Sequence, residues 1–139
     1  MILLDTSGML SALDAAEPRH AASVTALRAA GAPRLLSPFV LAELDYLLAT
    51  RVSPRIARAF LGEVAGGAYE LAPFDADDVA RAAEILDRHA DLALGLADAS
   101  IVVLAERRDV LDVLTLDERH FRVLRGPRGR PFRLLPADR

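Results

Sequence analysis

Apolar residues run along this chain in two alternating rhythms. Short continuous runs, such as Ile2 to Leu4 before Asp5, Arg34 to Ser37 and Val110 to Thr115, resemble strands buried on both faces. Between them lie longer stretches in which apolar positions recur every three or four residues, the period of a helix packed on one side. Strands alternating with helices in this way predict a parallel sheet covered by helices.

The individual elements follow from the punctuation. Ile2 to Asp5 reads as a central first strand, and Thr6 to Leu13 as a short helix that Thr6 or Ser7 can cap. Pro18 is placed to open a second helix running to about Ala30, ended by Gly31-Ala32-Pro33. Arg34 to Ser37 forms the second strand, and Pro38 starts the helix that carries Glu43. Ser53-Pro54 opens a further helix, which Gly66-Gly67 stops. Tyr69 to Leu71 reads as a short strand. Asp75 begins an amphipathic helix with Val79, Ala82, Ala83 and Leu86 on its apolar face. Another helix spans about Leu94 to Arg108, with its basic end suited to the C-terminal dipole. Val110 to Thr115 is the next strand, Asp117 caps a brief helix, and Phe132 to Leu135 supplies a last edge strand. The expected fold is α/β: a sandwich around a mostly parallel sheet of four or five strands, with helices on both faces. No repeat, low-complexity linker or charge block divides the chain, so residues 1–139 are expected to form a single domain.

Composition narrows the chemistry. There is no cysteine, which excludes disulfides and thiolate catalysis. No apolar run reaches the roughly 20 residues that span a bilayer, and MILLD reaches an acid at position 5 without a basic leader. A cytoplasmic protein with no membrane partner is therefore expected. All 17 basic residues are arginine, so lysine-dependent phosphate loops and Schiff bases are excluded. The net charge is −3, yet Arg119, Arg122, Arg125, Arg128, Arg130 and Arg133 fall in a tail where Glu118 is the acid close by. A local basic patch of this kind can hold phosphates under a negative total.

The candidate chemistry lies in four acids that interrupt apolar sequence. Asp98 is the only charged residue between Leu92 and Ala105, Asp5 ends MILLD, Glu43 sits within FVLAELDYLL, and Asp117 follows VLTL. An ionised carboxylate is costly to bury without a partner. Asp5 and Asp117 sit at carboxyl ends of predicted strands, where open parallel sheets collect ligands. Glu43 and Asp98 lie on helices that can point into the same crevice. Oxygen ligands without His or Cys favour Mg²⁺ or Mn²⁺, and phosphodiester hydrolysis is the reaction that best uses such ions. Three of the acids also have a plainer role: Asp5 and Asp117 as helix caps, Glu43 as a partner of an arginine such as Arg51 or solvated beside Asp45; Asp98 has no local cation to pair with. His20, His89 and His120 show no second ligand at metal spacing. His120, one turn after Asp117, is placed for a supporting or substrate contact. Phe39 and Tyr46 read as core, and Arg107 and Arg108 as helix-end charges.

LLDTSGML at the start, SPFVLAEL around Glu43, LGLADASIVVLAER around Asp98 and VLTLDERHF around Asp117 occur in one order over nearly the whole chain. Together they resemble PIN domains, specifically the toxin ribonucleases of VapBC toxin–antitoxin pairs. That resemblance implies a PIN-like α/β/α sandwich and Mg²⁺- or Mn²⁺-dependent cleavage of RNA. It makes Asp5, Glu43, Asp98 and Asp117 the acidic metal-binding residues, Thr6 and Ser7 supports for Asp5, and Thr115 the hydroxyl beside the fourth acid. It also implies a homodimer and neutralisation by a small VapB-like antitoxin that covers the active-site groove. Two other readings compete. A haloacid-dehalogenase type aspartyl-phosphate hydrolase would use Asp5 as nucleophile, but it wants an acid two residues on, where Ser7 stands, and a lysine near the phosphate. A non-catalytic PIN-like module that binds RNA or protein has no need of four mutually repelling acids.

Overall fold

The computed structural model describes residues 1–139. Its sheet has five strands, all parallel, in the order β3-β2-β1-β4-β5. These are β1 (Ile2–Leu4), β2 (Arg34–Leu36), β3 (Glu70–Leu71), β4 (Asp112–Leu114) and β5 (Arg133–Leu135). The seven helices are α1 (Thr6–Leu13), α2 (His20–Ala29), α3 (Pro38–Arg51), α4 (Pro54–Ala65), α5 (Ala76–Arg88), α6 (Leu96–Arg108) and α7 (Glu118–Phe121). β1 is buried along its whole length, as its unbroken apolar run requires at the centre of a parallel sheet.

The order of strands decides where a site can form. From β1 the chain moves outward to β2 and β3, then returns across the sheet to β4 and β5. Right-handed crossovers that travel in opposite directions place their helices on opposite faces. The reversal falls between the adjacent strands β1 and β4, which opens a crevice at their carboxyl ends. Asp5 and Asp117 follow those two strands.

Several elements differ from the sequence expectation. α2 begins at His20 rather than Pro18, because Asp14 holds the preceding turn: its carboxylate accepts from Ala16 N–H and its carbonyl from Glu17 N–H. α6 begins at Leu96, with Gly95 in extended conformation before it. On α5 the inward residues are Ala82 and Ile85, while Val79 is 46% exposed. The reason is polar. Asp78 binds Arg107 and Arg81 binds Glu106, so positions 78, 81, 82 and 85 turn towards α6, a face that apolar residues alone do not define. Reciprocal capping between Asp75 and Asp78 starts this helix.

A cluster of 28 buried apolar residues runs through the sheet and the helices on it. Its densest stretch lies in α6, where Ala99 to Ala105 are all buried and all but Ser100 belong to the cluster. No helix is long and apolar enough to cross a membrane.

Candidate metal centre

Asp5, Glu43, Asp98 and Asp117 line one open cavity of about 250 Å³, together with Thr6, Ser7, Leu10, Leu47 and Arg51. Four separate elements deliver the four acids. Their placement depends on contacts that fasten those elements to one another.

Asp5 is the deepest of the four, only 4% exposed. Its backbone N–H donates to Leu114 O of β4. Its side chain makes no cap bond to α1. Instead one oxygen, Oδ2, accepts from the Thr115 hydroxyl at 2.6 Å and the Ser7 hydroxyl at 3.0 Å. Those hydroxyls in turn accept backbone donors: Thr115 Oγ1 from Asp117 N–H and Ser7 Oγ from Leu116 N–H, both at 2.9 Å. The turn after β4 is thereby pinned to the end of β1. Burial pushes the Asp5 carboxyl up to about 6; the hydroxyl bonds oppose that and the Asp98 charge adds to it. Thr6 supports Asp5 through its backbone. Its own hydroxyl oxygen is buried and has no hydrogen-bond partner, and it lines the cavity beside Asp5. A buried orphan of this kind calls for a ligand or ordered water.

Gly8 permits the close approach of α1. A Cβ there would lie well inside van der Waals contact distance of the Leu114 carbonyl and 2.8 Å from Thr115 N. The same backbone positions carry the acceptor for Asp5 N–H and the hydroxyl for its carboxylate.

Asp98 occupies the first turn of α6 and is half-buried, at the open end of the apolar stretch rather than within it. It accepts from Gly95 N–H at 3.2 Å. Burial raises its carboxyl, as do Asp117 and Glu43, while Gly95 N–H and His120 lower it. A buried Ser37–Ser100 hydrogen bond of 2.7 Å joins the start of α3 to α6. Ser100 donates onward to Ala97 O and Ser37 accepts from Phe39 N–H, so the Ser37 hydroxyl is the donor between them. This bond sets the helix of Glu43 against the helix of Asp98.

Glu43 is exposed at the rim and forms no ion pair with Arg51. Glu43, Leu47 and Arg51 are spaced by four and line the cavity as one stripe of α3, so Arg51 brings an unpaired cation to the acids. Asp117 caps α7, accepting from His120 N–H at 3.0 Å. Its second oxygen meets His120 Nδ1 at 2.8 Å. Ligand atoms of Asp98, Asp117 and His120 fall within 4.8 Å of one another. This corrects the expectation that no histidine stands at metal spacing. The signal was the three-residue step from Asp117, which a helical turn converts into proximity.

Other candidates fall away from the site. Tyr46 is 68% exposed rather than core; Phe39 packs edge-on to Phe74. Arg107 binds Asp78 and Pro73 O, and Arg108 binds Glu70. The basic tail is largely neutralised: Arg122 pairs with Glu118 and Asp138, Arg128 and Arg130 with Asp109, and Arg133 with Asp112. Arg119 and Arg125 remain unpaired.

The donor set fits a hard divalent cation. It offers carboxylate oxygens from four elements, one of them strained by burial, and an orphaned hydroxyl beside them.

The family model of the PIN domain matches residues 2–126. The chain is 45% identical over 135 residues to Ribonuclease VapC26 of Mycobacterium tuberculosis (strain ATCC 25618 / H37Rv), covering 97% of this chain and 100% of that relative. Among solved structures it is similar to Mycobacterium tuberculosis VapC20, a sarcin–ricin loop cleaving toxin. The TM-score there is 0.79 and the identity 23%, over 84% of this chain and 90% of the other.

Proposed function

This chain belongs to the PIN domain family, and we propose that it is an endoribonuclease of the VapC toxin type, with Asp5, Glu43, Asp98 and Asp117 as its site. Metal dependence is the general property of that family. The observation that carries the reading is the convergence of four acids at the β1/β4 switch point. Residues 1–139 are read as one PIN-like domain.

Asp5 and Asp98 would hold Mg²⁺ or Mn²⁺ from the two sides of the crevice, with Glu43 and Asp117 completing the charge. Such an ion, when bound, activates water and offsets phosphoryl charge. The protein's own residues do the rest. Thr115 and Ser7 orient Asp5 without neutralising it, since hydroxyl donors leave its full negative charge available. His120 fixes the direction of Asp117. Arg51 at the rim is placed to meet a phosphate of the RNA chain.

On this reading RNA is the substrate and a VapB-like antitoxin the neutralising partner, and a homodimer is the working unit we propose. This chain has no Asn, Gln or Trp to read bases, which favours recognition of RNA shape.

The purified protein should cleave RNA with Mn²⁺ or Mg²⁺ and stop with EDTA. Asp98→Asn should lose activity by at least a hundredfold while remaining folded. Parent-like cleavage by that variant would overturn the assignment. RNA binding without metal-dependent cleavage would favour the non-catalytic module instead.

A further inference from the structure

A second cavity, about 360 Å³, lies between α5, α6 and the segment that follows α7. Its charged lining is Arg81, Arg88, His89, Glu106, Arg125 and Arg128, over a floor of Ile85, Val102 and Leu124. Half of that charged lining is already matched. Arg81 pairs with Glu84 and Glu106, and Arg128 with Asp109. Glu106, the one acid in the lining, is thus occupied by Arg81. Arg88 and Arg125 make no ion pair and stand on opposite walls, with the half-buried His89 beside Arg88. Two unpaired guanidinium groups over an apolar floor suit an anion with an attached organic group, and a nucleotide phosphate is of that kind.

The position of this cavity relative to the acids follows from helix register. The Asp78–Arg107 and Arg81–Glu106 pairs show that α5 and α6 run antiparallel. From Arg81 to Arg88 is seven residues, a rise of roughly 10 Å along α5. From Glu106 back to Asp98 is eight residues, roughly 12 Å along α6. Arg88 therefore stands level with Asp98, about one helix diameter aside. The other wall leads to the same place: Leu124 N–H donates to His120 O, so Arg125 begins one turn beyond His120. Both walls lead from the acids into the cavity.

We propose that this cavity holds a backbone phosphate of the same RNA whose scissile bond lies at the carboxylate centre, with Arg88 and Arg125 as its charge partners. The proposal rests on the ribonuclease reading and adds a distal anchoring site to it. Arg88 and Arg125 raise affinity and fix the strand's direction away from the cut; they take no part in the chemistry.

The test is binding of a fluorescently labelled RNA hairpin in EDTA, followed by anisotropy over a range of salt, for the parent and for Arg88→Gln/Arg125→Gln. Both residues are exposed and unpaired, so the variant should melt with the parent. Binding should weaken about tenfold near 0.1 M salt, and the slope of log K against log salt should fall by about 0.7 to 0.9 for the lost phosphate contact. With Mn²⁺ the variant should raise KM and leave kcat unchanged. Arg55→Gln/Arg58→Gln on α4 controls for net charge. An unchanged slope or an equal loss in the α4 control would each overturn the proposal. If the parent cuts RNA and only the variant's slope is unchanged, the anchoring site falls and the nuclease stands. If the double variant weakens binding but the parent never cleaves, the RNA contact at this cavity stands, while the nuclease reading falls and with it the link to a scissile bond.

Discussion

The metal-free protein should become less stable as pH rises from 4 to 7, and Asp5 should be the main cause. In the unfolded chain its carboxyl titrates near 3.8; in the folded protein burial moves it to about 6. Between those values the folded state holds a proton that the unfolded state has released, so stability falls with rising pH. At about 1.36 kcal/mol per pH unit of difference, the loss approaches roughly 3 kcal/mol above pH 7. In a domain of this size that corresponds to about 10 °C in Tm. Asp138 works the other way: the Arg122 guanidinium lowers it to about 2, so its contribution is present above about pH 4 and lost only below that. The two windows do not overlap. Asp5→Asn removes the buried charge and keeps an oxygen that can accept from Thr115 and Ser7. In EDTA, thermal melts at pH 4.5, 6.0 and 7.5 should show the parent declining and the variant nearly flat, with the variant more stable at pH 7.5. Mn²⁺ at a hundredfold excess over its Kd should add about 2.7 kcal/mol to the parent and far less to the variant. Parallel pH profiles for the two proteins, or a variant destabilised equally at every pH, would refute the reasoning.

Other perturbations probe the scaffold around the acids. Gly8→Ala should cost about 1–3 kcal/mol by overpacking against the β4 backbone, read as a lower urea midpoint, and activity should fall with it because Asp5 moves. Ser100→Ala leaves the Ser37 hydroxyl without its acceptor; we expect a loss of about 1–2 kcal/mol with cleavage largely retained, measured by denaturation and turnover in parallel. His120→Ala should weaken Mn²⁺ binding about tenfold and Mg²⁺ binding much less, since imidazole nitrogen suits the softer ion; calorimetric titration of both ions decides it.

The layered architecture was legible because apolar runs bounded by Pro, Gly and Ser mark parallel strands and helix ends without tertiary information. The four acids were legible because each interrupts such a run. What stayed hidden depended on partners far apart in sequence. The inward face of α5 is set by Asp78 and Arg81 reaching α6, so a count of apolar positions picked Val79 instead of Ile85. The basic tail looked free because its acids, Asp109, Asp112 and Asp138, lie outside the run of arginines. Gly8 carried no signal at all: its role is a contact with β4 more than a hundred residues away.

Apolar neighbours in sequence are a poor guide to which of the four acids is most strained. Asp98 is surrounded by apolar letters, but its helix turn opens to the cavity, and Gly95 N–H and His120 compensate it. Asp5, one residue past a strand only three residues long, is the carboxylate that burial isolates. The choice of its partners is informative. An arginine beside Asp5 would relieve the strain more fully than two hydroxyls, and it would also occupy the charge that a cation needs. Thr115 and Ser7 satisfy one oxygen by hydrogen bonding and leave the net charge intact. Arg51 shares the cavity and His120 holds Asp117, yet neither makes a hydrogen bond or ion pair with Asp5. The site is therefore destabilising by construction in the absence of an ion, as expected where stability is traded for a binding function. It follows that Thr115→Val, which removes one hydroxyl at nearly constant volume, should raise the Asp5 carboxyl further. The pH at which Mn²⁺ begins to stabilise the protein should shift upward with it. An unchanged onset in melts with Mn²⁺ between pH 5 and 8 would mean that the hydroxyls do not govern the availability of that charge.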